Sequence, residues 1–175
     1  MAVPHLVVGA SGVPALRGSG TVGFTRPNNT TAYTAGDVVS DSAGTFTPAL
    51  VFPVARFPGG GGYIVKAIIS TNLKTFLSAM TLQLYRLRAV VISGDNVAEV
   101  RAFGNAMYEV GSIVFATMTS GAGSGSTEAN AVWTGNLEFR CTDGDDCLYG
   151  VLIDNTGSTP AAFQKFQVKL EADVY

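Results

Sequence analysis

The sequence predicts an all-β protein: a jelly-roll-like antiparallel β-sandwich of about eight strands with an extended N-terminal arm. Short runs rich in β-branched and aromatic residues recur along the chain. Stretches rich in turn-forming residues separate these runs, at 58–62, 93–96, 120–126, 142–146 and 155–160. Helical periodicity is scarce, and regularly spaced strands without intervening helices are typical of sandwiches and barrels.

Eight segments are predicted as strands. They are a short one near 37–40 and longer ones at 45–52, 62–71, 80–87, 111–118, 131–141, 147–154 and 165–175. The pattern is clearest in the last segment, where Phe166, Val168 and Leu170 alternate with polar residues. Because successive side chains of a strand point to opposite faces, we expect these three in the core.

The first 35 residues differ from the rest of the chain. They are rich in glycine, proline, threonine and asparagine and show no sustained period. Such a segment is expected to be an extended arm that becomes ordered against a neighbour. The predicted organisation is therefore an arm at 1–35 and a sandwich domain at 36–175.

Composition and charge narrow the classes of function. Hydrophobic residues make up 47% of the 175-residue chain and charged residues only 14%, with a net charge of −2. A weakly charged surface of this kind is often covered by a partner protein. Without a basic run or an apolar stretch of membrane length, we expect neither a nucleic acid nor a membrane partner. The N-terminal stretch is a poor signal peptide, which favours synthesis in a cytoplasm.

The only two cysteines, Cys141 and Cys147, flank an acidic turn. Asp143–Gly144 between two strands is a strong hairpin signal, and a symmetric hairpin would place the cysteines opposite each other as a candidate disulfide. A cytosolic compartment favours free thiols in the newly made protein, while oxidation in a finished particle stays open. We expect no metal site and no cofactor, although calcium binding by the turn 143–146 also stays open.

No set of residues suited to catalysis is evident. The single histidine, His5, lies in the arm and cannot anchor a Ser-His-Asp or Cys-His pair. The remaining acid–base candidates are two carboxylate pairs, Glu99 with Glu109 and Asp95 with Asp154, and nothing places either pair in a cleft. We therefore expect that the protein is not an enzyme and has no catalytic residues.

Three aromatic side chains are candidate interface residues: Trp133, Tyr63 and Tyr175. Trp133 together with Asn130 and Asn136 also suits an alternative function, a carbohydrate-binding jelly-roll module. Loss of glycan binding on replacement of Trp133 would favour that alternative.

The order of several motifs resembles a group of virion structural proteins of tailed bacteriophages. The resemblance rests on "TAYTAGDVV" (31–39), "PGGGGYI" (58–64), "GDN" (94–96) and "CLYGVLIDNTGSTPAAFQKFQVKLEA" (147–172). It covers about residues 30–175, and its motifs are structural rather than catalytic. The cysteine pair is not a feature of the group.

The resemblance implies a capsid decoration (cement) protein. Such a protein is made in the host cytoplasm, sits on the outer capsid surface of the virion, contacts the major capsid protein and is commonly a homotrimer. Its expected role is to stabilise the shell by bridging neighbouring major capsid subunits. A tail, baseplate or head–tail component with the same sandwich is the alternative within this class.

Overall fold

The structure is a computed structural model that describes residues 7–8, 14–41, 50–88, 93–100, 103–123 and 125–175. The described residues form one 3-10 helix (Phe103–Tyr108) and ten strands, namely β1 (Val7–Val8), β2 (Pro14–Thr25), β3 (Leu50–Pro53), β4 (Gly61–Thr71), β5 (Met80–Tyr85), β6 (Glu109–Phe115), β7 (Thr119–Ser120), β8 (Ala129–Arg140), β9 (Cys147–Asp154) and β10 (Lys165–Val174). Among these residues, no helix has the length and apolar character needed to cross a membrane.

The strands form two antiparallel sheets, which confirms the predicted all-β sandwich. Sheet I has the order β1-β2-β10-β4-β8-β7, and sheet II has the order β3-β9-β5-β6. Without the two-residue strands β1 and β7, eight long strands remain. Counted along the chain, the first, eighth, third and sixth of these form sheet I in that order, and the second, seventh, fourth and fifth form sheet II. This interleaving is that of two Greek keys folded into a jelly roll.

The hydrophobic core lies between the two sheets. Phe166, Val168 and Leu170 of β10 are buried there, as their alternation predicts. From sheet II, β5 contributes Leu82 and Leu84 to the same core. The segment 72–79 is an irregular loop that leads into β5.

The predicted arm boundary differs from the structure, because residues 14–25 form strand β2. This strand pairs with β10 from Leu16 opposite Val174 to Thr25 opposite Lys165. The eighth long strand is therefore β2, whereas 37–40 contributes only isolated bridges to sheet II and to a loop. The prediction that residues near 37–40 form a strand of the sandwich is therefore wrong.

Glycines in β2 explain why its composition does not look like that of a strand. The edges of the two sheets meet where β2 passes β3. A Cβ added at Gly18 would lie 2.5 Å from the Val54 carbonyl oxygen, and one at Gly20 would lie 3.3 Å from the Pro53 nitrogen. Close approach of the two backbones requires residues without side chains, which removes the apolar alternation that marks a strand.

A second apolar cluster lies on the outer face of sheet II. It consists of Val38, Tyr85, Tyr149, Val151 and Ile153. Residues 36–40 cover this face together with the segment 93–100, which we call the strap. Backbone hydrogen bonds join the two segments, including a 2.9 Å bond from Val38 N to Val97 O. β9 is therefore buried on both faces, which accounts for its nearly continuous apolar sequence.

The Asp-Gly stretch forms a turn but not the predicted hairpin. Asp145 N donates to Thr142 O at 3.0 Å across a turn in which Gly144 has φ +90°. The turn connects sheet I to sheet II, since β8 pairs with β4 and β7 whereas β9 pairs with β3 and β5. The hairpin prediction is wrong because both edges of β9 already have partners.

The register places the connecting loops at two opposite ends of the sandwich. Loops 26–41, 72–79, 116–128 and 155–164 share the end that we call the Phe163 end. Loops 54–60 and 141–146 share the other end, which we call the Asp145 end, together with the start of β2.

Candidate interaction surfaces

The two carboxylates proposed as an acid–base pair, Asp95 and Asp154, are held in separate networks. Asp95 lies in the strap, and both of its carboxylate oxygens accept hydrogen bonds from a buried arginine. Asp154 ends β9 and accepts hydrogen bonds from a loop. Neither arrangement leaves a carboxylate directed at an open cleft, so this pair is not a site of acid–base chemistry.

Asp95 forms a buried ion pair with Arg26, which directly follows β2. Its two carboxylate oxygens accept from Nε at 3.1 Å and from Nη2 at 2.6 Å, and both side chains are fully buried. Tyr33 donates its hydroxyl to Asp95 at 2.7 Å, and its ring lies 4.8 Å from the guanidinium carbon. Burial, with the Asp95 charge second, raises the pKa of Tyr33 far above its usual value, so the phenol remains a donor.

Arg26 also reaches the loop 155–164. Its Nη1 donates to the carbonyl of Ala161 at 3.2 Å, and its backbone nitrogen donates to Gln164 O at 2.9 Å. The Gln164 side chain in turn donates to Thr71 Oγ1 at 2.7 Å. Through these contacts the buried arginine joins the strap, the loop after β2 and the loop before β10.

Asp154 connects two other loops at the same end of the sandwich by hydrogen bonds. Its Oδ1 accepts from the backbone nitrogens of Thr156 at 2.9 Å and Gly157 at 2.6 Å. Its Oδ2 accepts from the buried Ser78 hydroxyl in the loop between β4 and β5. A buried carboxylate with several donors ties the loop 72–79 to the loop 155–164.

Phe163 protrudes from the braced loop 155–164. Gln164 N donates to Ala161 O across a turn, and Phe163 occupies the third position of that turn with φ +53°. Its ring is 57% exposed. Left-handed backbone at the third position of a turn normally selects glycine or asparagine, so a phenylalanine here is conformationally unfavourable.

The acidic turn is a hydrogen-bonded loop at the opposite end. Asp145 accepts from the Tyr149 hydroxyl and from the Cys147 backbone nitrogen. Burial acts to raise the pKa of Asp145, but the hydrogen bonds from Tyr149 and Cys147 outweigh it and hold the pKa below its usual value. Possible metal-ligand atoms of Asp145, Asp146 and Cys147 lie within 4.8 Å of one another. These three residues also hydrogen-bond to each other within the loop.

Both cysteines are free thiols in the structure. Burial raises the pKa of Cys141 to about 11 and that of Cys147 to about 12, and nearby carboxylates add to both shifts. Since β8 and β9 belong to different sheets, the two residues are not cross-strand neighbours. The geometric argument for a disulfide is thereby removed.

We expect native thiols to react slowly. At pH 8 the raised pKa values lower the thiolate fraction, so iodoacetamide should label the folded protein about 100-fold more slowly than the unfolded protein. Raised folded-state pKa values favour the protonated thiol, so this contribution to stability is present below about pH 9 and is lost as the pH rises towards 11 to 12. Mass spectrometry after labelling in denaturant should count two thiols, and a lower count in fresh protein would contradict the expectation.

Two of the three predicted interface aromatics lie together. The ring centroids of Tyr63 and Tyr175 are 6.1 Å apart, on the outer side of sheet I at the Asp145 end. Trp133 lies elsewhere and packs partly buried against the core, on the opposite face of β8 from Asn130. The trio proposed for carbohydrate recognition is therefore not assembled on one face.

Comparisons with known proteins find only distant likenesses among solved structures. No protein-family model matches the chain, and no curated protein matches it. A chain of the cyanophage Pam1 capsid asymmetric unit is 16% identical, with 99% of this chain and 91% of that chain covered, at a TM-score of 0.33. A chain of tomato aspermy virus is 11% identical, with 99% and 86% covered, also at 0.33. Likenesses at these TM-scores carry no functional argument.

Proposed function

We propose that the protein is a structural component of a phage particle that decorates the outer capsid shell. In this role it stabilises the shell by bridging neighbouring major capsid subunits, as a homotrimer. The proposal makes the virion its location and the major capsid protein its partner.

The observation that carries the proposal is that three of the four motifs that resemble phage virion proteins converge in the folded chain. The first motif supplies Tyr33, the "GDN" motif supplies Asp95, and the last motif supplies Ala161 and Gln164, all of which meet around Arg26. Residues far apart in sequence thus serve one structural purpose, which is to hold the loops at one end rigid. A rigid loop end suits a protein that works by contact, because little ordering is needed on binding.

Many copies acting together provide the mechanism. Each copy that contacts two shell subunits makes opening of the shell break several interfaces at once, so weak individual contacts add up through avidity. We propose that residues preceding β2 widen this contact as an arm.

Copy number in purified particles tests the proposed function. Quantitative mass spectrometry should find this chain in numbers comparable to the major shell protein. A few copies per particle would instead favour the tail, baseplate or head–tail alternative, and absence from particles would overturn a virion role. Native mass spectrometry of the free protein should give three times the 18.1 kDa protomer mass.

A further inference from the structure

The outer face of sheet I carries a polar trough that crosses three strands. Gly23 of β2, Gln167 of β10 and Ser70 of β4 are paired residues that lie side by side in it. The trough consists of two cavities of about 470 and 400 Å³, and Gln167 and Ser70 line both of them. Because Gly23 has no side chain, the trough stays open where it crosses β2.

The trough offers hydrogen-bonding groups without a net charge. Its amide and hydroxyl side chains are those of Thr21, Thr25, Ser70, Asn72, Thr127 and Gln167. Among the lining residues that the structure describes, the charged ones are Glu128, Lys165 and Lys169, and Lys169 already pairs with Glu171 at 2.8 Å. One acid and one base remain, so the trough favours neither an anionic nor a cationic ligand.

The same face offers little apolar surface beyond one aromatic pair. Val132 and Tyr175 are the exposed large apolar side chains that the structure describes there. Tyr175 lies beside Tyr63, with ring centroids 6.1 Å apart. At about 3.3 Å per residue, Tyr63 lies about 20 Å along β4 from Ser70. The core of a protein interface is more apolar than this face, so a polar ligand fits it better than a protein does.

We propose that the trough is the hydrogen-bonding part of a binding site for a neutral, extended oligosaccharide. Such a chain is uncharged, and its hydroxyl groups both donate and accept hydrogen bonds, as the amide of Gln167 and the hydroxyl of Ser70 also do. Sugar rings also have apolar faces, which pack on the rings of Tyr63 and Tyr175 when the ligand extends along β4. This inference adds a binding activity to the proposed structural role and does not depend on it.

The decisive variant is Gly23→Thr, which fills the trough while keeping the fold. A Cβ at Gly23 would have the Phe166 carbonyl oxygen as its nearest neighbour, at an ordinary contact distance of 3.5 Å. Threonine suits a strand and restricts the unfolded chain, so Tm should stay equal or rise. The added side chain should weaken binding by about 10-fold or more through a steric clash with the ligand. Gln167→Ala removes one hydrogen-bonding group and should weaken binding by about 3- to 10-fold.

Two further variants separate the parts of the site. Ser112→Ala removes an exposed hydroxyl from β6 in sheet II and is the matched control, which should leave binding unchanged. Tyr175→Ala removes one ring of the aromatic pair, 52% exposed, and should weaken the binding of long oligosaccharides more than that of short ones.

Binding of the full-length protein is measured by calorimetric titration with maltohexaose, cellohexaose, xylohexaose and chitohexaose, and with a heparin hexasaccharide as the anionic probe. Binding of a neutral hexasaccharide by wild type and Ser112→Ala, with losses in Gly23→Thr and Gln167→Ala, supports the inference. Unchanged binding in both trough variants overturns the assignment of the site. Preference for the heparin hexasaccharide, or no binding of any neutral probe at millimolar concentration, overturns the inference. Copy number in particles tests the proposed function separately.

Discussion

Replacing Asp95 with alanine should lower the free energy of unfolding by about 3–5 kcal/mol, the typical cost of leaving one partner of a buried ion pair without the other. Arg26 would keep its charge in a site without solvent, and Tyr33 and the Ser40 backbone nitrogen would each lose the acceptor that Asp95 provides. A loss of this size is a large share of the 5–15 kcal/mol that typically stabilises a domain. Urea unfolding followed by fluorescence measures it.

Two controls show whether the cost comes from the orphaned charge. Lys169→Ala removes an ion pair with Glu171 in which the lysine is 40% exposed, and should change stability by less than about 1 kcal/mol. The double variant Arg26→Met with Asp95→Leu removes both charges and should be less destabilised than Asp95→Ala. If the double variant is instead the least stable of the three, the hydrogen bonds of the network, rather than the unpaired charge, dominate.

Replacing Phe166 with alanine should cost about 3–5 kcal/mol through loss of packing in the main core. The Phe166 ring is buried and stacks on Phe24 with centroids 5.5 Å apart. It also meets the edge of Phe76 at 5.5 Å, so its removal leaves a cavity between the two sheets. Chemical denaturation should show a lower midpoint with an unchanged dependence on denaturant.

The neighbouring residue provides the matched control for this prediction. Gln167 follows Phe166 on the same strand but is exposed on the outer face of sheet I. Gln167→Ala should change stability by less than about 0.5 kcal/mol. Similar losses in the two variants would mean that β10 does not present alternate faces to core and solvent.

Phe166 and Asp95 stabilise the fold in two different ways, one by core packing and the other by a buried ion pair. Phe166 acts in the core between the sheets, where apolar area removed from water is the dominant favourable contribution. Asp95 acts at one end, where a buried charge pair determines which loops lie together. The first holds the sandwich closed, and the second positions the loop that bears Phe163.

Strand composition and turn residues alone determined the fold class and most of the strand positions. The segment 147–154 was predicted with the bounds that β9 has, and the alternation in 165–175 identified the core residues of β10. These features depend on local physics, since a strand places successive side chains on opposite faces and turn residues interrupt it.

Long-range contacts decided the rest. β2 is a strand because Gly18 and Gly20 let its backbone pass close to β3, and that requirement removes the side chains by which a strand is recognised. The Asp143–Gly144 turn crosses between sheets because the neighbours of β9 come from elsewhere in the chain. The pairing of Arg26 with Asp95 joins residues 69 positions apart, and only the folded chain brings their charges together. The sequence therefore determined which segments are strands, and tertiary structure determined which strands and charges meet.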